Sequence, residues 1–460
     1  MADFFEYIDA NLDRWNDELD EFLRIPSIST DPERAGDVAR CAEWLADHLR
    51  AAGIPSCEVV STAGHPIVIG ERPVDPDAPT LLVYGHYDVQ PSEPDHLWTT
   101  PPFEPSRRDG RVYARGSVDD KGQVHMHVKA LETLLETETG ANLNLKFVIE
   151  GEEEVGSAHL GKFLAENADR LACDAVLISD TTMFSPELPC ITTGLRGIVY
   201  TELNVRGPSH DLHSGSYGGA VVNPANALAT ILAGLKDEQG RATVPGFYDP
   251  VREITEREKA DLARLPMDDE VMRADVGSTE LGGEEGFTTL ERLWYRPTLD
   301  VNGLLSGFTG QGSKTVLPGS AMAKVSMRLV PDQDPVEVVE AFEQRVRELT
   351  PPGVTVEVKR FHDGAPWVAD PDHPVYDAAH AALEAGFGTP PAMIREGGSI
   401  PIVSMFEETF RSPVLLVGFG LPGSNAHAPD EWIDAGVYRE GIAAIANLYG
   451  EIAVRLDDAG

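Results

Sequence analysis

Three short apolar runs, TLLVYGH (80–86), NLKFVIEG (144–151) and DAVLISD (174–180), alternate with segments whose apolar residues recur every three or four positions. Runs of that length, flanked by turn residues, are strands; the longer spacing marks helices. Helical spacing covers Phe5, Ile8, Leu12, Trp15, Leu19 and Phe22, stopping near Pro26, and then Val38 to Ala52, with Gly53 as its C-terminal stop. It returns after Asp120 (Val124, Val128, Leu131, Leu135) and through HLGKFLAENADRL. Strands that alternate with helices predict an α/β domain with a mostly parallel sheet flanked by helices.

From about Leu195 the texture changes. The order becomes strand (GIVYTELNVRG), helix (NPANALATILAGL), strand (TLDVNGLL), strand (AMAKVSMRLVP), helix (PVEVVEAFEQRVREL) and strand (VTVEVKRF). That is the β-α-β-β-α-β order of a ferredoxin-like α+β unit, with residues 236–296, rich in charge, Gly and Pro, as an insertion within it. After HDGAPWVADPDHP the first texture resumes with a helix from Val375 to Ala385, the strand PVLLVGFG and a long C-terminal helix. The expectation is a two-domain chain: a catalytic domain of 1–194 and 367–460 interrupted by an inserted lid and dimerisation domain of 195–366.

Composition narrows the function classes. A hydrophobic share of 42% over 460 residues supports globular domains, and no run approaches the ~18 apolar residues of a membrane span. The acidic start MADFFEYIDANLDRW lacks the basic region of a secretory signal, so a cytoplasmic protein is expected. The four cysteines form no CxxC pair, which argues against a disulfide scaffold. A net charge of −39, from 37 basic and 76 acidic residues, repels nucleic acid phosphates and anionic membranes. Nine lysines against 28 arginines, with acids spread along the whole chain, fit a halophilic surface; an ordinary acidic protein from an Arg-biased genome fits equally.

Metal-capable side chains fall where strands give way to loops, the edge at which ligands of such sheets gather. His86 and Asp88 lie two apart and face the same way, so one can bind metal while the other orients it. Asp119, Glu153, Glu154, Asp180 and His427 complete the inventory. Two divalent ions need oxygen and nitrogen ligands, usually with one carboxylate shared, and a carboxylate outside the ligand set to take a proton from water. His86, Asp119, Glu154, Asp180 and His427 are the candidate ligands, and Glu153 the candidate base. Singly, each has a plainer reading: a loop histidine, a helix N-cap at Asp119-Asp120, a turn cap at Asp180, a solvated acidic run at Glu152–Glu154.

The segments YGHYDVQP, RGSVDDKGQ, EGEEEVGS, LISDT, LRG followed by DLHSG, GSKTVLP, RLVP, REGGSIP and NAHAPDE, in that order, resemble the M20 metallopeptidase family, in particular its cytosolic nonspecific dipeptidase and carnosinase branch. The resemblance implies two divalent ions per subunit, zinc or manganese with cobalt also suited. His86 and Asp180 would hold one, His427 and Glu154 the other, and Asp119 would bridge them across a cis Asp119-Asp120 peptide. Asp88 would orient His86, and Glu153 would act as general base and then general acid, with Glu152 its rival if the turn is slipped. His213 would reach the oxyanion from the partner subunit of a homodimer; the plainer role is to pin a Gly-rich loop. Thr315, Arg328 and Ser399 would hold substrate, Arg328 by the C-terminal carboxylate unless it is a plain strand-surface arginine. The implied activity is hydrolysis of dipeptides or short peptides by a metal-activated water; the alternative is an N-acyl amino acid amidohydrolase of deacetylase, desuccinylase or aminoacylase type.

Overall fold

A computed structural model describes residues 4–137, 141–398 and 400–457. The chain divides into two compact units. One comprises the residues up to Thr193, Ala369–Ile394 and those from Ile402 onward; the other comprises Gly194–Val368 with the segment Arg395–Pro401.

In the first unit, strands Asn144–Glu150, Thr80–His86, Ala175–Ile178 and Val414–Leu416 lie side by side and parallel. These are the apolar runs of the sequence, and their residues are almost all buried. Two further strands, Ser56–Val60 and Ile67–Arg72, extend the sheet antiparallel at one edge, so the sheet is mixed, with a parallel centre. Hairpin strands need no crossover helix, and SCEVV and IVIGER therefore lack the alternating pattern that reveals the others. The wholly exposed or half-exposed side chains of Ser56–Val60 fit an edge position.

Helix Phe5–Leu23 buries Ile8, Trp15, Leu19 and Phe22, the face marked by their spacing. Each such side chain contributes roughly 1.5–3 kcal/mol on leaving water. Helix Ala35–Ala51 runs to Ala52, and Gly53 follows at φ +104, a conformation that glycine alone adopts readily. The segment HLGKFLAENADRL forms two helices, Leu160–Glu166 and Ala168–Leu171, rather than one. Between them Asn167 turns its side-chain amide back to the Phe163 carbonyl at 2.9 Å, competing with the helical backbone.

Helix Lys121–Glu136 is buried along most of its length and packs on Phe5–Leu23 and on the C-terminal helix Ala435–Asp457. Most of its polar residues are buried too, and several find partners. The Lys121 ammonium donates to the Phe22 and Ile25 carbonyls at 3.1 and 2.6 Å, and His125 Nδ1 lies 2.8 Å from the Tyr438 hydroxyl. His127 joins the Tyr449 and Ser179 hydroxyls at 2.9 and 2.8 Å. This helix carries the Asp119-Asp120 turn at its start, so its packing sets the height of that turn above the sheet.

The second unit is a four-stranded antiparallel sheet in the order Thr298–Ser306, Ser320–Leu329, Gly197–Arg206, Thr355–Gly364. Helices Pro224–Gly234 and Pro335–Leu349 share a core with it that includes Leu203, Leu228, Ala323, Val325 and Phe342. The strict buried and half-buried alternation along Ser320–Leu329 is the period of two that marked it in sequence. The insertion holds helices Glu256–Leu262, Asp269–Val276 and Thr289–Trp294, the first and last opened by capping boxes at Thr255/Glu258 and Thr288/Glu291. All four cysteines are free, and among the described residues no helix is long and apolar enough to cross a membrane.

Candidate metal centre

Because the central strands are parallel, their carboxyl ends share one edge of the first unit. His86 is the last residue of Thr80–His86, the turn Glu153–Val155 follows Asn144–Glu150, and Asp180 follows Ala175–Ile178. Asp119 enters just before helix Lys121–Glu136 through a cis Asp119-Asp120 peptide, and His427 sits beyond Val414–Leu416 at φ +60.

Two groups of candidate ligands result, and they share Asp119. His86 Nε2 lies 3.0 Å from Asp119 Oδ1 and 4.0 Å from Asp180 Oδ2. His427 Nε2 lies 2.8 Å from Asp119 Oδ2 and 3.2 Å from Glu154 Oε2. One carboxylate thus presents an oxygen to each histidine.

The donor chemistry fits cations. His86 is wholly buried, and its Nδ1 faces only acceptors, the Asp88 carbonyl at 3.1 Å and the Asp88 carboxylate at 3.4 Å, so Nδ1 carries the proton of the neutral ring. The lone pair of Nε2 then points at carboxylate oxygens, and this buried atom makes no hydrogen bond. Such a juxtaposition is repulsive unless positive charge lies between.

The titration behaviour carries the same message. Hydrogen bonds to Asp119 and Glu154 lift His427 to about 10. Burial opposes protonation of His86, yet Asp119 and Asp88 raise it well above its ordinary value. Burial also works against ionising Asp119, but the hydrogen bond from His427 and the nearness of the His86 ring hold it far below the carboxylate range. Asp180 is pushed well above that range by burial and the Asp119 charge, and Glu153 is pushed up to about 7, by burial first and then by Glu154 and Asp119 against the pull of His86. These shifts share one cause, carboxylates crowded together out of water, which a divalent ion would relieve.

The supporting residues were only partly legible. The Asp88 carboxylate accepts from the Glu153 and Glu154 backbone N–H groups at 3.3 and 3.1 Å, so it holds the carboxylate turn, while its carbonyl is the nearer partner of His86. Glu152 turns to His159 Nδ1 at 2.8 Å and belongs to neither ligand group. Gln90 donates to Glu154 Oε2 at 2.7 Å. Glu431 escaped sequence reasoning as a site residue, although NAHAPDE contains it: fully buried, it accepts from Arg115 and from the Gly116, Val118 and Asp119 backbone N–H groups.

The remaining expected residues belong to the second unit. His213 is exposed, and its Nδ1 accepts from the Gly215 N–H at 3.0 Å, which pins the loop and leaves the ring proton on Nε2. Thr315 is its neighbour: the Ser214 N–H donates to the Thr315 carbonyl at 3.1 Å, and His213 pairs with Val316. Arg328 lies apart from them on Ser320–Leu329, half-buried, opposite Thr298 and Ile198. Arg196, from the LRG motif, stands near enough for the Arg328 charge to add to the effect of burial, and the two together push it down to about 10. Ser399 lies outside the described residues.

Two ligand groups joined by one carboxylate, at the strand ends of an α/β unit and beside a further carboxylate, define a metal-dependent hydrolase. The chain belongs to peptidase family M20/M25/M40, whose model matches residues 82–451. It is 32% identical over 464 residues to the Cys-Gly metallodipeptidase dug1 of Schizosaccharomyces pombe, covering 98% of each chain. Its fold superposes on human carnosine dipeptidase 1 with a TM-score of 0.80, at 32% identity and 98% coverage of both chains. A metallo-carboxypeptidase of the M20 family from Sulfolobus solfataricus matches with a TM-score of 0.80 and 34% identity, over 95% of this chain and 98% of that one.

Proposed function

We propose that this chain hydrolyses the peptide bond of dipeptides and short peptides with two divalent ions, zinc, manganese or cobalt. His86, Asp119 and Asp180 would hold one ion and Asp119, Glu154 and His427 the other. The observation that carries the reading is the shared Asp119, with one oxygen toward each histidine and an unpartnered His86 Nε2 beside it. When bound, the ions supply the Lewis acidity that makes water nucleophilic at neutral pH and polarises a carbonyl.

Glu153 takes the proton of the attacking water and returns it to the leaving amine. Its place supports this: it stands on the same turn as Glu154, its backbone N–H is anchored by Asp88, and it belongs to neither ligand group. His213, with its proton on Nε2, is a donor for the developing oxyanion, and we assign it to the partner subunit of a homodimer. Thr315, Arg328 and Ser399 hold the substrate, Arg328 by its C-terminal carboxylate. The relatives named for Cys-Gly and carnosine dipeptidase activity support dipeptides over N-acyl amino acids. A salt-adapted acidic surface, resting on the net charge of −39 and its spread along the chain, and a cytoplasmic location, resting on the likeness to the Cys-Gly dipeptidase relatives, complete the proposal.

The test is hydrolysis of free dipeptides, tripeptides and N-acyl amino acids by metal-stripped protein re-supplied with zinc, manganese or cobalt in high-salt buffer. Metal-dependent cleavage of several dipeptides is expected. Cleavage of N-acyl amino acids alone would replace the proposal with the amidohydrolase reading.

A further inference from the structure

We infer that Glu431 is a positioning residue for both metal sites at once, acting through Asp119. The inference rests on the two-ion reading above. Glu431 Oε1 accepts from the Val118 and Asp119 N–H groups at 2.9 and 3.1 Å, and Oε2 accepts from Arg115 Nη1 and the Gly116 N–H at 2.7 and 2.9 Å. Four donors converge on one buried carboxylate, and three of them are backbone groups of the loop that ends on Asp119.

The loop is built for this clamp. Gly116 sits at φ +85, and a side chain there would meet Val89 at 2.8 Å. Arg115 is buried against Glu431 at 2.7 Å and balances its charge, so the clamp orders the loop without adding net negative charge to a centre already crowded with carboxylates. Because Asp119 belongs to both ligand groups, whatever fixes its backbone sets the spacing of both sites. The Ser179–His127–Tyr449 hydrogen bonds, by contrast, lie next to Asp180, which belongs to one group only.

Glu431→Gln is the discriminating variant. It is isosteric, yet its amide nitrogen must face either Arg115 and Gly116 or Val118 and Asp119, donors in both cases, so one half of the clamp is lost whichever way the amide turns. The full-length protein would be stripped of metal, checked for folding by circular dichroism and melting in chelator, and titrated with Zn²⁺ and Mn²⁺ against a chromophoric chelator, with stoichiometry from elemental analysis. Affinity at both sites is expected to fall together, at least tenfold, in protein that melts as a folded unit. Wild-type affinity at either site in folded Glu431→Gln overturns the inference. Should that variant not fold, Glu431→Asp decides on the same readout, since it keeps the charge beside Arg115 but withdraws the carboxylate by one methylene. A wild-type protein that binds neither ion refutes the two-ion reading itself, and needs no variant to do so.

Discussion

Acid should loosen this protein through a histidine that never touches the candidate metal ligands. His127 is buried between the Tyr449 and Ser179 hydroxyls, and burial alone drops its pKa from 6.5 to about 3. The folded pKa lies below the unfolded one, so between these values the unfolded chain binds a proton that the native ring refuses, and stability falls as pH falls. Integrating from pH 6.5 to pH 4.5 gives a loss of roughly 2 kcal/mol from this residue, almost all on the unfolded side. The perturbation is His127→Gln, which keeps a donor and an acceptor but does not titrate. Urea unfolding of chelator-treated wild type and variant at the two pH values isolates the effect, because the other buried groups, His125 among them, cancel in the comparison. Wild type should lose about 2 kcal/mol more than the variant across this interval. Equal losses would refute the assignment of a neutral, desolvated ring.

Glu153→Gln should lower turnover by roughly 10²–10⁴ while both ions remain bound; loss of metal on elemental analysis would make Glu153 a ligand instead. Asp180→Asn should release one ion and Asp119→Asn both, because only Asp119 belongs to both ligand groups; equal stoichiometry in the two variants would contradict the shared carboxylate. His213→Ala should remain folded and lose roughly 10²–10³ in turnover as an oxyanion donor; near-normal turnover would leave His213 as a loop pin through its bond from Gly215.

Much of the fold was legible because burial leaves a period. Ile8, Trp15, Leu19 and Phe22 mark one face of a helix, and the alternating residues of Ser320–Leu329 mark one face of a sheet. The hairpin Ser56–Val60/Ile67–Arg72 was not legible, since its outer strand is short and at best half-buried and no helix separates the two strands. Nor was the break at Asn167, where one amide bonded to Phe163 ends a helix that the apolar spacing alone would continue. Within the site the residue types were plain, but their partners were not. The Asp88 carboxylate, 3.4 Å from His86 Nδ1, also accepts from the backbone of the Glu153–Glu154 turn, a second contact that the spacing of the two residues does not reveal. Glu431 acts on backbone groups more than 300 positions away in the chain, and such a contact leaves no local pattern.

By itself the sequence determined the strand–helix alternation, the interrupting ferredoxin-like order and the inventory of histidines and carboxylates, because local periodicity and residue chemistry are properties of short segments. Only the tertiary structure decided that the Asp119 oxygens divide between His86 and His427, that Glu152 turns away to His159, and that the Asp119 loop hangs from Glu431. Those choices depend on which buried donors must find an acceptor once distant segments pack together, a condition that exists only in the folded chain.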